Sequence, residues 1–370
     1  MRIAIVCDWL LGTGGAERVV LELHRLYPKA PIYTSQYDSS PKLWFGDKWF
    51  EDADIRTGWL QKLPKSLKKF LPVLRAWYFS RLDLSGFDLV ISSSGAEAKF
   101  VKVREGAKHI SYIHAPTHYY WARYDDYLAN PGFGLFDPVA RIGLKLFVGP
   151  MRRWDYKAAQ RLAHLIANSN YTKEQIKKYY GRDSTVIHPP VDIDRFKLLN
   201  KSSNLRHGFV TAGRQTPYKK IDLAVEAATL LKVPLTVIGK GPDHRWLKKI
   251  AGRSVTFLTN VSDEEMPQRL GEAKAFIFPG VDDFGIAAVE AMAAGTPVIA
   301  FRGGGALDYI NKDSGIFFNE QTAESLAAAI KKLDSLKFSP EKVSKNSSRF
   351  SPAKFQKSIA VLVRSSLKTQ

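Results

Sequence analysis

Residues 274–301, KAFIFPGVDDFGIAAVEAMAAGTPVIAF, contain a complete strand-helix-strand unit. The apolar run 274–278 ends at Pro279, a helical pattern follows over 285–294, and a second apolar run occupies 297–301. Short apolar runs on either side of a helix are typical of a parallel sheet, whose strands are covered on both faces. This stretch therefore predicts an α/β fold.

The same alternation of short apolar runs and helical patterns extends along the whole chain. Strands are predicted at 3–7, 88–93, 109–113, 163–168, 184–187, 208–212, 234–239, 254–258, 274–278 and 297–301. Helices are predicted at 15–27, 155–162, 172–180, 219–232, 243–251, 263–272, 285–294 and 322–333. Repeated strand-helix-strand units predict two doubly wound, Rossmann-like α/β domains.

A polar stretch with two prolines, HPPVDIDRFKLLNKSSN at 188–204, interrupts this pattern before a new strand begins near Gly208. Such a stretch is typical of a domain boundary. We therefore predict a first domain at 1–187 and a second at 188–345. The remaining residues, 346–370, begin polar and then predict a helix from Pro352 to Leu367, which we expect to return to the first domain.

The composition is that of a soluble globular protein with anionic partners. The 370 residues suit two domains, and 45% hydrophobic with 25% charged residues argues against disorder and a fibrous class. The formal net charge of +19 favours nucleic acid, phosphorylated metabolites or an acidic membrane surface as partners. The single cysteine, Cys7, excludes an intramolecular disulfide and a cysteine-based zinc cluster, and its apolar neighbours predict a buried thiol.

Two carboxylates stand out in the stretch quoted first. Asp282 lies in the loop after a predicted strand, and Glu290 lies about a turn into the following helix. Between them, Phe284, Gly285 and Ile286 place unpaired backbone N–H groups at the start of the helix, where anions are favoured. This arrangement can hold sugar hydroxyls on either side of a bound diphosphate.

Cations and glycines follow other predicted strands. Arg214 and Lys219 flank a loop between a strand and a helix, which suits a diphosphate, although a solvated basic surface is the structural alternative. Near the N-terminus, Gly12, Gly14 and Gly15 form a glycine-rich turn before a helix. Such a turn lets backbone N–H groups approach a phosphate, or else only provides positive φ.

These motifs resemble the retaining glycosyltransferases of the GT-B fold, in the large family that contains bacterial mannosyltransferases (glycosyl transferases group 1). The main motif is DDFGIAAVEAMAAGTPVIA at 282–300, with its acidic pair. Further motifs agree in order and spacing: GTGGAER, YIHAP, IANSNYTKEQI, VIHPPVD, GRQTPYKKIDLAVEA, VIGKGP and FLTNVSDEE. YIHAPTHYYWARYDDYL together with DDFGI looks most like the O-antigen mannosyltransferase branch, which uses GDP-mannose.

The resemblance implies two Rossmann-like domains facing across a cleft and a role for each matching residue. Arg214 and Lys219 would neutralise the donor diphosphate in place of a metal, Glu290 would hold the ribose, and Asp282 the donor hexose. The family usually has Glu at position 282, so the shorter Asp changes this contact. The residues implied as further donor contacts are Gly14, Gly15, Phe284, Gly285 and Ile286 through backbone amides, and Gly239, Lys240, Gly241, Asn260 and Val261 around the base.

His114 ends a predicted strand within YIHAP, and the resemblance implies that it contacts the donor sugar or stabilises charge near the reacting centre. A lone histidine there has a structural alternative, and so has Ser169, which suits a helix cap as well as a ligand contact. Asp8, His118 and His188 are interpreted as structural or peripheral.

The implied reaction is transfer of a hexose, from GDP-mannose in this branch, with retention of configuration and no metal or other cofactor. No enzyme nucleophile lies in the motifs, so we favour front-side attack by an acceptor hydroxyl, with closure of the two domains over the donor. A UDP-sugar donor remains the alternative. The acceptor would be a saccharide or a lipid-linked saccharide in cell-surface polysaccharide or glycolipid synthesis.

A segment at 59–81, WLQKLPKSLKKFLPVLRAWYFSR, mixes aromatic and basic residues and has no acid. This composition is typical of attraction to an anionic membrane surface. A weaker example lies at 133–157, and in both places a core face beneath solvated charges is the alternative. No uncharged run approaches the ~18 to 20 residues of a membrane span, and Asp8 interrupts the first apolar run. We therefore expect a cytoplasmic protein, peripheral on the cytoplasmic membrane face.

Two other functional classes agree less well with the sequence. The charge and aromatic content suit a nucleic-acid-binding protein, but no recognition motif supports it, and the pair Asp282 and Glu290 would repel phosphates. A nucleotide-dependent dehydrogenase would need GxGxxG followed by an acid about 20 residues later, which is missing.

Overall fold

The computed structural model describes residues 1–40, 49–64, 71–132, 134–197 and 206–368. The chain forms two compact units. Unit 1 comprises Met1–Pro190 together with Pro352–Gln370, and unit 2 comprises Val191–Ser351. The predicted α/β class with two doubly wound domains is confirmed by the sheets described below.

Unit 1 contains a seven-stranded sheet in the order β3-β2-β1-β4-β5-β6-β7, and every strand pairing in it is parallel among the described residues. Its strands are β1 (Ile3–Cys7), β2 (Ile32–Thr34), β3 (Ile55–Arg56), β4 (Leu89–Ser94), β5 (Lys108–Ile113), β6 (His164–Ala167) and β7 (Thr185–Val186). Its helices are α1 (Gly15–Leu26), α2 (Pro72–Ser80), α3 (Tyr124–Ala129), α4 (Asp137–Gln160), α5 (Asn170–Tyr180) and α13 (Pro352–Lys368).

The strands of unit 1 are apolar on both faces because helices cover both. Ile5 and Cys7 of β1 pack in a cluster with α1 and α13, whereas Ala4 and Val6 pack in another with α2 and α4. Alternate residues of a strand point to opposite faces, so β1 contributes to two cores. This arrangement explains why the strand runs show no polar alternation.

Unit 2 contains a six-stranded sheet in the order β10-β9-β8-β11-β12-β13, again with parallel pairings throughout the described residues. Its strands are β8 (Phe209–Ala212), β9 (Leu235–Ile238), β10 (Val255–Leu258), β11 (Ala275–Phe278), β12 (Val298–Phe301) and β13 (Gly315–Phe318). Its helices are α6 (Ile221–Leu231), α7 (His244–Ile250), α8 (Glu265–Gly271), α9 (Ile286–Ala293), α10 (Ala306–Tyr309), α11 (Ala323–Leu333) and α12 (Pro340–Ser347).

The predicted domain boundaries differ from those of the structure. They lie at 187/188 and 345/346, whereas the chain changes units after Pro190 and after Ser351. Val191 donates a backbone hydrogen bond of 2.8 Å to Phe350 O, and both side chains lie in a core of unit 2. The two ends of unit 2 are therefore joined to each other, and α12 belongs to unit 2.

The C-terminal helix α13 completes a core of unit 1. Phe355 is 1% exposed, and its ring lies 5.8 Å from the ring of Tyr112. Ile359, Leu362 and Val363 are buried in the same cluster, which also contains Cys7. Burial raises the pKa of the Cys7 thiol well above its ordinary value, so the native thiol is both covered and protonated.

We predict that Phe355→Ala accelerates the reaction of Cys7 with a thiol reagent by at least about 100-fold, since a buried Phe→Ala change costs about 3–5 kcal/mol. Cys7 is the only cysteine and reports on unit 1 alone. Val361→Ala, on the same helix but 58% exposed, is the matched control and should leave the rate unchanged. Equal rates in both variants would show that α13 does not stabilise unit 1.

A second prediction concerns pH. Burial, with a smaller contribution from Arg161, lowers the pKa of His109 to about 3 from 6.5. Below pH ~6.5 the imidazole of His109 is protonated in the unfolded chain but stays neutral in the native state. The free energy of unfolding therefore falls as the pH decreases toward ~3, by up to about 1.4 kcal/mol per pH unit. His109→Gln should flatten this part of the stability profile in urea titrations, and exposed His207→Gln should not. A wild-type slope in His109→Gln contradicts the prediction.

Candidate active site

The loops that follow β8 and β11 bring Lys219 and Asp282 together. Lys219 ends a 3-10 helix, Pro217–Lys219, and its Nζ forms an ion pair with Oδ2 of Asp282. Both side chains are mostly buried, at 20% and 16% exposed. The Lys219 ammonium also lies 5.8 Å from the ring centre of Phe278, so the cation is held against an aromatic face.

Helix α9 begins at Ile286, four residues after Asp282, and the first backbone N–H groups of a helix have no partner within the helix itself. Gly285 is the residue before the helix and has a φ of 99°, where side chains are strained. A Cβ at this position would lie 2.7 Å from both Phe278 Cζ and Tyr309 Oη. The side chain of Phe284 is buried against Tyr309 and Phe350, which leaves only its backbone for a ligand.

Glu290 lies in the second turn of α9 and is half-buried. As predicted, Asp282 lies in the loop before α9 and Glu290 lies within the helix, so the two acids are on either side of the helix start. Beneath this loop the hydroxyl of Tyr309 is buried without a hydrogen-bond partner among the described residues. Burial, followed by the charge of Asp282, holds the pKa of Tyr309 well above its ordinary value of 10.0.

The loops after β8 and β9 are joined by Gln215, which belongs to none of the predicted site residues. Its buried side chain donates to Gly239 O at 2.7 Å and lies 2.7 Å from Nδ1 of His244. A Cβ at Gly241 would lie 2.0 Å from Gln215 O, so only glycine fits there. The one available signal is a polar residue directly after the Gly-Arg that ends a buried strand.

The other predicted base contacts lie on neighbouring strand ends. Gly239 follows β9 with a φ of 117°, and a Cβ there would lie 2.3 Å from Gly213 O. Lys240 Nζ lies 3.5 Å from Oδ1 of Asn260, which follows β10. Val261 is half-buried against a core of unit 2. Arg214 follows β8 and is exposed, whereas its predicted companion Lys219 is held by Asp282.

In unit 1, the carboxylate of Asp8 connects the end of β1 to the loop after β4. It accepts backbone hydrogen bonds from Gly95 at 2.8 Å, Ala96 at 3.0 Å and Ala98 at 2.7 Å. Burial first, and then the charge of Glu97, raises the pKa of Asp8, while these hydrogen bonds act in the opposite direction. Asp8 therefore organises the loop, which agrees with its interpretation as structural.

His114 follows β5 beside this loop and is half-buried. Its Nε2 lies 2.8 Å from the hydroxyl of Ser93, and its carbonyl accepts a 2.9 Å hydrogen bond from Asn168 Nδ2. Ser93 and Asn168 thus orient His114 from two sides. Ser169 caps α5 by accepting a hydrogen bond from Thr172 N at 3.0 Å. This is the helix cap that was one of its two interpretations.

The glycine-rich turn leads into α1. Gly14 precedes the helix in an extended conformation, with φ −115°, and Gly15 is its first residue. None of Gly12, Gly14 and Gly15 has positive φ, so the structural alternative, a turn that needs glycine for positive φ, is wrong. A Cβ at Gly12 would meet no atom within 4 Å, and one at Gly14 would meet only the movable carboxylate of Glu17.

Within the described ranges, no three His, Cys, Asp or Glu side chains are grouped as a metal ion would require. The expectation of a metal-free reaction stays a prediction. The same ranges contain no helix that is long and apolar enough to cross a membrane.

Comparison with known proteins gives two matches that follow each other along the chain. The family model "Glycosyl transferases group 1" matches residues 192–350, which is nearly all of unit 2. The model "Glycosyltransferase Family 4" matches residues 13–195, most of the N-terminal part of unit 1.

Among curated relatives, the chain is 29% identical over 195 residues to the GDP-mannose-dependent alpha-(1-6)-phosphatidylinositol monomannoside mannosyltransferase of Mycobacterium tuberculosis. That match covers 45% of this chain and 51% of the relative, so the chain spans about half the length of this relative. It is 25% identical to human alpha-1,3/1,6-mannosyltransferase ALG2, over 87% of this chain and 85% of that protein.

Among solved structures, Anabaena HepE in complex with UDP is similar with a TM-score of 0.70 at 18% identity, over 99% of this chain and 100% of that chain. Sucrose-phosphate synthase from Thermosynechococcus elongatus is similar with a TM-score of 0.72 at 16% identity, over the full length of both chains. These likenesses concern the fold, and they confirm the GT-B architecture predicted from the sequence.

We predict that Asp282→Asn tightens the binding of inorganic pyrophosphate by about 3- to 10-fold, because it removes a carboxylate that neutralises Lys219 and repels an anion. Isothermal titration calorimetry measures this directly. Asp334→Asn is the matched control: it removes an acid paired with Lys274 at 3.6 Å, on the residue before β11 and thus at the opposite edge of the sheet. Weaker binding in Asp282→Asn would contradict a neutralising role.

Proposed function

Because the chain belongs to the GT-B glycosyltransferases of the glycosyl transferases group 1 family, we propose that it transfers a hexose from a nucleotide sugar to a saccharide or lipid-linked saccharide acceptor. The observation that carries the proposal is the grouping of Lys219, Asp282 and the start of α9 at the carboxyl ends of the unit 2 strands. This is the edge at which open α/β sheets bind nucleotides.

The chemistry follows from these groups. A diphosphate at the start of α9 accepts hydrogen bonds from backbone N–H groups and meets the partial positive charge of the helix. Lys219 then exchanges Asp282 for a phosphate oxygen, and the released carboxylate of Asp282 becomes available to hydroxyls of the donor hexose. One ion pair thus provides both a phosphate contact and a sugar contact.

Transfer breaks the bond between the hexose C1 and the diphosphate oxygen and forms a bond from C1 to an acceptor oxygen. We propose front-side attack with retention, in which the acceptor hydroxyl gives its proton to the leaving diphosphate. Charge on that diphosphate grows in the transition state, so Lys219, Arg214 and the N–H groups of α9 act where charge develops. Glu290, one turn into the helix, would hold the ribose hydroxyls.

The loops joined by Gln215 would hold the nucleobase. Backbone groups of Gly239 and Gly241, with Lys240, Asn260 and Val261, surround the ends of β9 and β10. We propose GDP-mannose as the donor, supported by the mannosyltransferase names of the relatives in two organisms. A UDP-sugar is the second candidate, supported by the likeness to HepE, whose structure was solved in complex with UDP.

Unit 1 would supply Gly14 and Gly15 through backbone amides and His114 through its ring. A side chain at Gly12 or Gly14 would not collide with any backbone atom of the described residues. Packing therefore does not explain why glycine occurs there, which favours a role in ligand binding. Ser93 holds Nε2 of His114 at 2.8 Å, which fixes the ring plane for a contact with the donor sugar.

We also propose peripheral attachment to the cytoplasmic membrane face, supported by the net charge of +19.

The test is a transfer assay with labelled GDP-mannose, other GDP-sugars and UDP-sugars on a membrane extract that contains acceptors. We predict turnover of GDP-mannose with retained anomeric configuration, and a loss of at least about 100-fold in kcat for Lys219→Ala. Lys274→Ala, in the exposed pair Lys274 and Asp334, is the control and should stay active.

If only UDP-sugars were turned over, the proposed donor would change from GDP-mannose to a UDP-sugar, and the proposed hexose transfer would stand. An inverted product would exclude the front-side mechanism. No turnover and no thermal stabilisation by any of these nucleotide sugars would overturn the proposed function.

A further inference from the structure

The first half of α4 and the 3-10 turn Gly134–Phe136 that leads into it expose an unusual concentration of apolar side chains. Six of the eighteen large hydrophobic side chains that are exposed among the described residues fall within 135–147. They are Leu135 at 97%, Phe136 at 65%, Val139 at 67%, Ile142 at 61%, Leu146 at 68% and Phe147 at 55% exposed. Soluble proteins rarely leave so many apolar side chains together in water unless they form a binding surface.

Four of these side chains, three on α4 and Leu135 in the turn before it, form one stripe. Leu135, Val139, Ile142 and Leu146 are spaced by four, three and four residues, which places them on one face. In an ordinary surface helix this face packs on the core. Here the buried residues of α4 begin at Met151 and all lie in its second half. The apolar stripe is therefore left uncovered by the described residues.

The exposed half is nevertheless held in place. Arg141 donates to the carbonyls of Leu128 at 3.0 Å and Ala129 at 2.8 Å, which connects it to the end of α3. In the second half, the fully buried Asp155 pairs with Lys99 at 2.7 Å and accepts from Trp121 and Tyr180. The stripe thus belongs to an anchored helix whose orientation in unit 1 is fixed.

Charge distinguishes the possible occupants of the stripe. The exposed residues Arg153 and Lys157 follow Leu146 by seven and eleven residues and therefore lie on the same helix face as the stripe. The exposed Lys145 lies beside the stripe. If α4 paired in parallel with α4 of a second copy, these cations would face the same cations of the partner and repel them. In an antiparallel pairing they would face the apolar residues of the partner. A membrane accommodates both parts, because hydrocarbon receives the apolar side chains and lipid phosphates receive the cations.

A second apolar patch in unit 1 has the composition of a membrane interface. Trp59, Val73, Leu74 and Trp77 line a shallow groove of about 470 Å³, and the Arg81 guanidinium lies 4.4 Å from the ring centre of Trp77. Tryptophan next to arginine is typical of the boundary between headgroups and hydrocarbon. It is the described part of the basic segment predicted at 59–81, of which residues 65–70 lie outside the described residues.

We propose that the stripe Leu135, Val139, Ile142 and Leu146 inserts into the surface of an anionic bilayer, with Lys145, Arg153 and Lys157 on lipid phosphates. The inference deepens the peripheral attachment proposed above and rests on it for the identity of the membrane face. It gives that attachment a specific surface, with the first half of α4 lying in the plane of the interface.

The test is flotation of the full chain with vesicles of phosphatidylcholine containing about 30% phosphatidylglycerol, and with phosphatidylcholine alone. We expect Ile142→Ser with Leu146→Ser to weaken binding to the anionic vesicles by at least tenfold. The matched control, Leu230→Ser with Val361→Ser, removes two side chains of similar exposure, 61% and 58%, and should bind as wild type does. Lys145→Glu with Arg153→Glu should weaken binding to the anionic vesicles alone.

Wild-type binding by the stripe variant, or no vesicle binding by the wild type, would overturn the proposal. A change from dimer to monomer in the stripe variant, without an effect on vesicles, would assign the stripe to self-association instead. Hydrolysis of the sugar donor in solution keeps the two proposals apart. It should be unchanged in the stripe variant, so a failure of vesicle binding leaves the proposed transfer intact, and a failure of hydrolysis leaves the docking surface intact.

Discussion

Parallel strand pairing is the constraint on which the candidate site depends. When every strand in a sheet runs in the same direction, all the carboxyl ends meet at one edge, and the loops that leave them become neighbours. In unit 2 this brings the loops after β8, β9 and β11 together, with Lys219, Gln215 and Asp282 on them. In unit 1 it does the same for Asp8, Ser93 and His114.

An edge built from loops needs buried polar groups to hold it, because loop backbone lacks the regular partners of a strand. Unit 1 supplies charged ones. Glu97 and Arg75 pair at 2.7 Å, and both are almost fully buried, while Lys99 pairs with Asp155 at the same distance. Such pairs are costly to break singly, since each would leave an unpaired buried charge. The loop that carries Gly95, beside His114, is therefore fixed.

Local patterns in the sequence are enough to predict most of the sheets and the positions of the candidate site residues relative to the strands and helices. Most strands of four or more residues have a clear apolar signal, but β2, β3 and β13 are not predicted. β2 and β3 have only three and two residues, and β13 is buried only at its two ends. The first half of α4 was missed as a helix because Gly143, Gly149 and Pro150 interrupt it. The roles of Asp8 and Gln215 depend on partners distant in the sequence, up to 90 residues away for Asp8, and no local pattern encodes such contacts.

The course of the chain through the two units has a consequence for biosynthesis. Unit 2 is inserted within unit 1, and its ends meet at the hydrogen bond between Val191 and Phe350. A ribosome thus completes the whole of unit 2 before it makes α13, whose Phe355, Ile359, Leu362 and Val363 fill a core of unit 1. Domains usually fold in the order of their synthesis. Here the half that emerges first is the last to be completed, and until α13 has been made it exposes an unfilled apolar surface to chaperones.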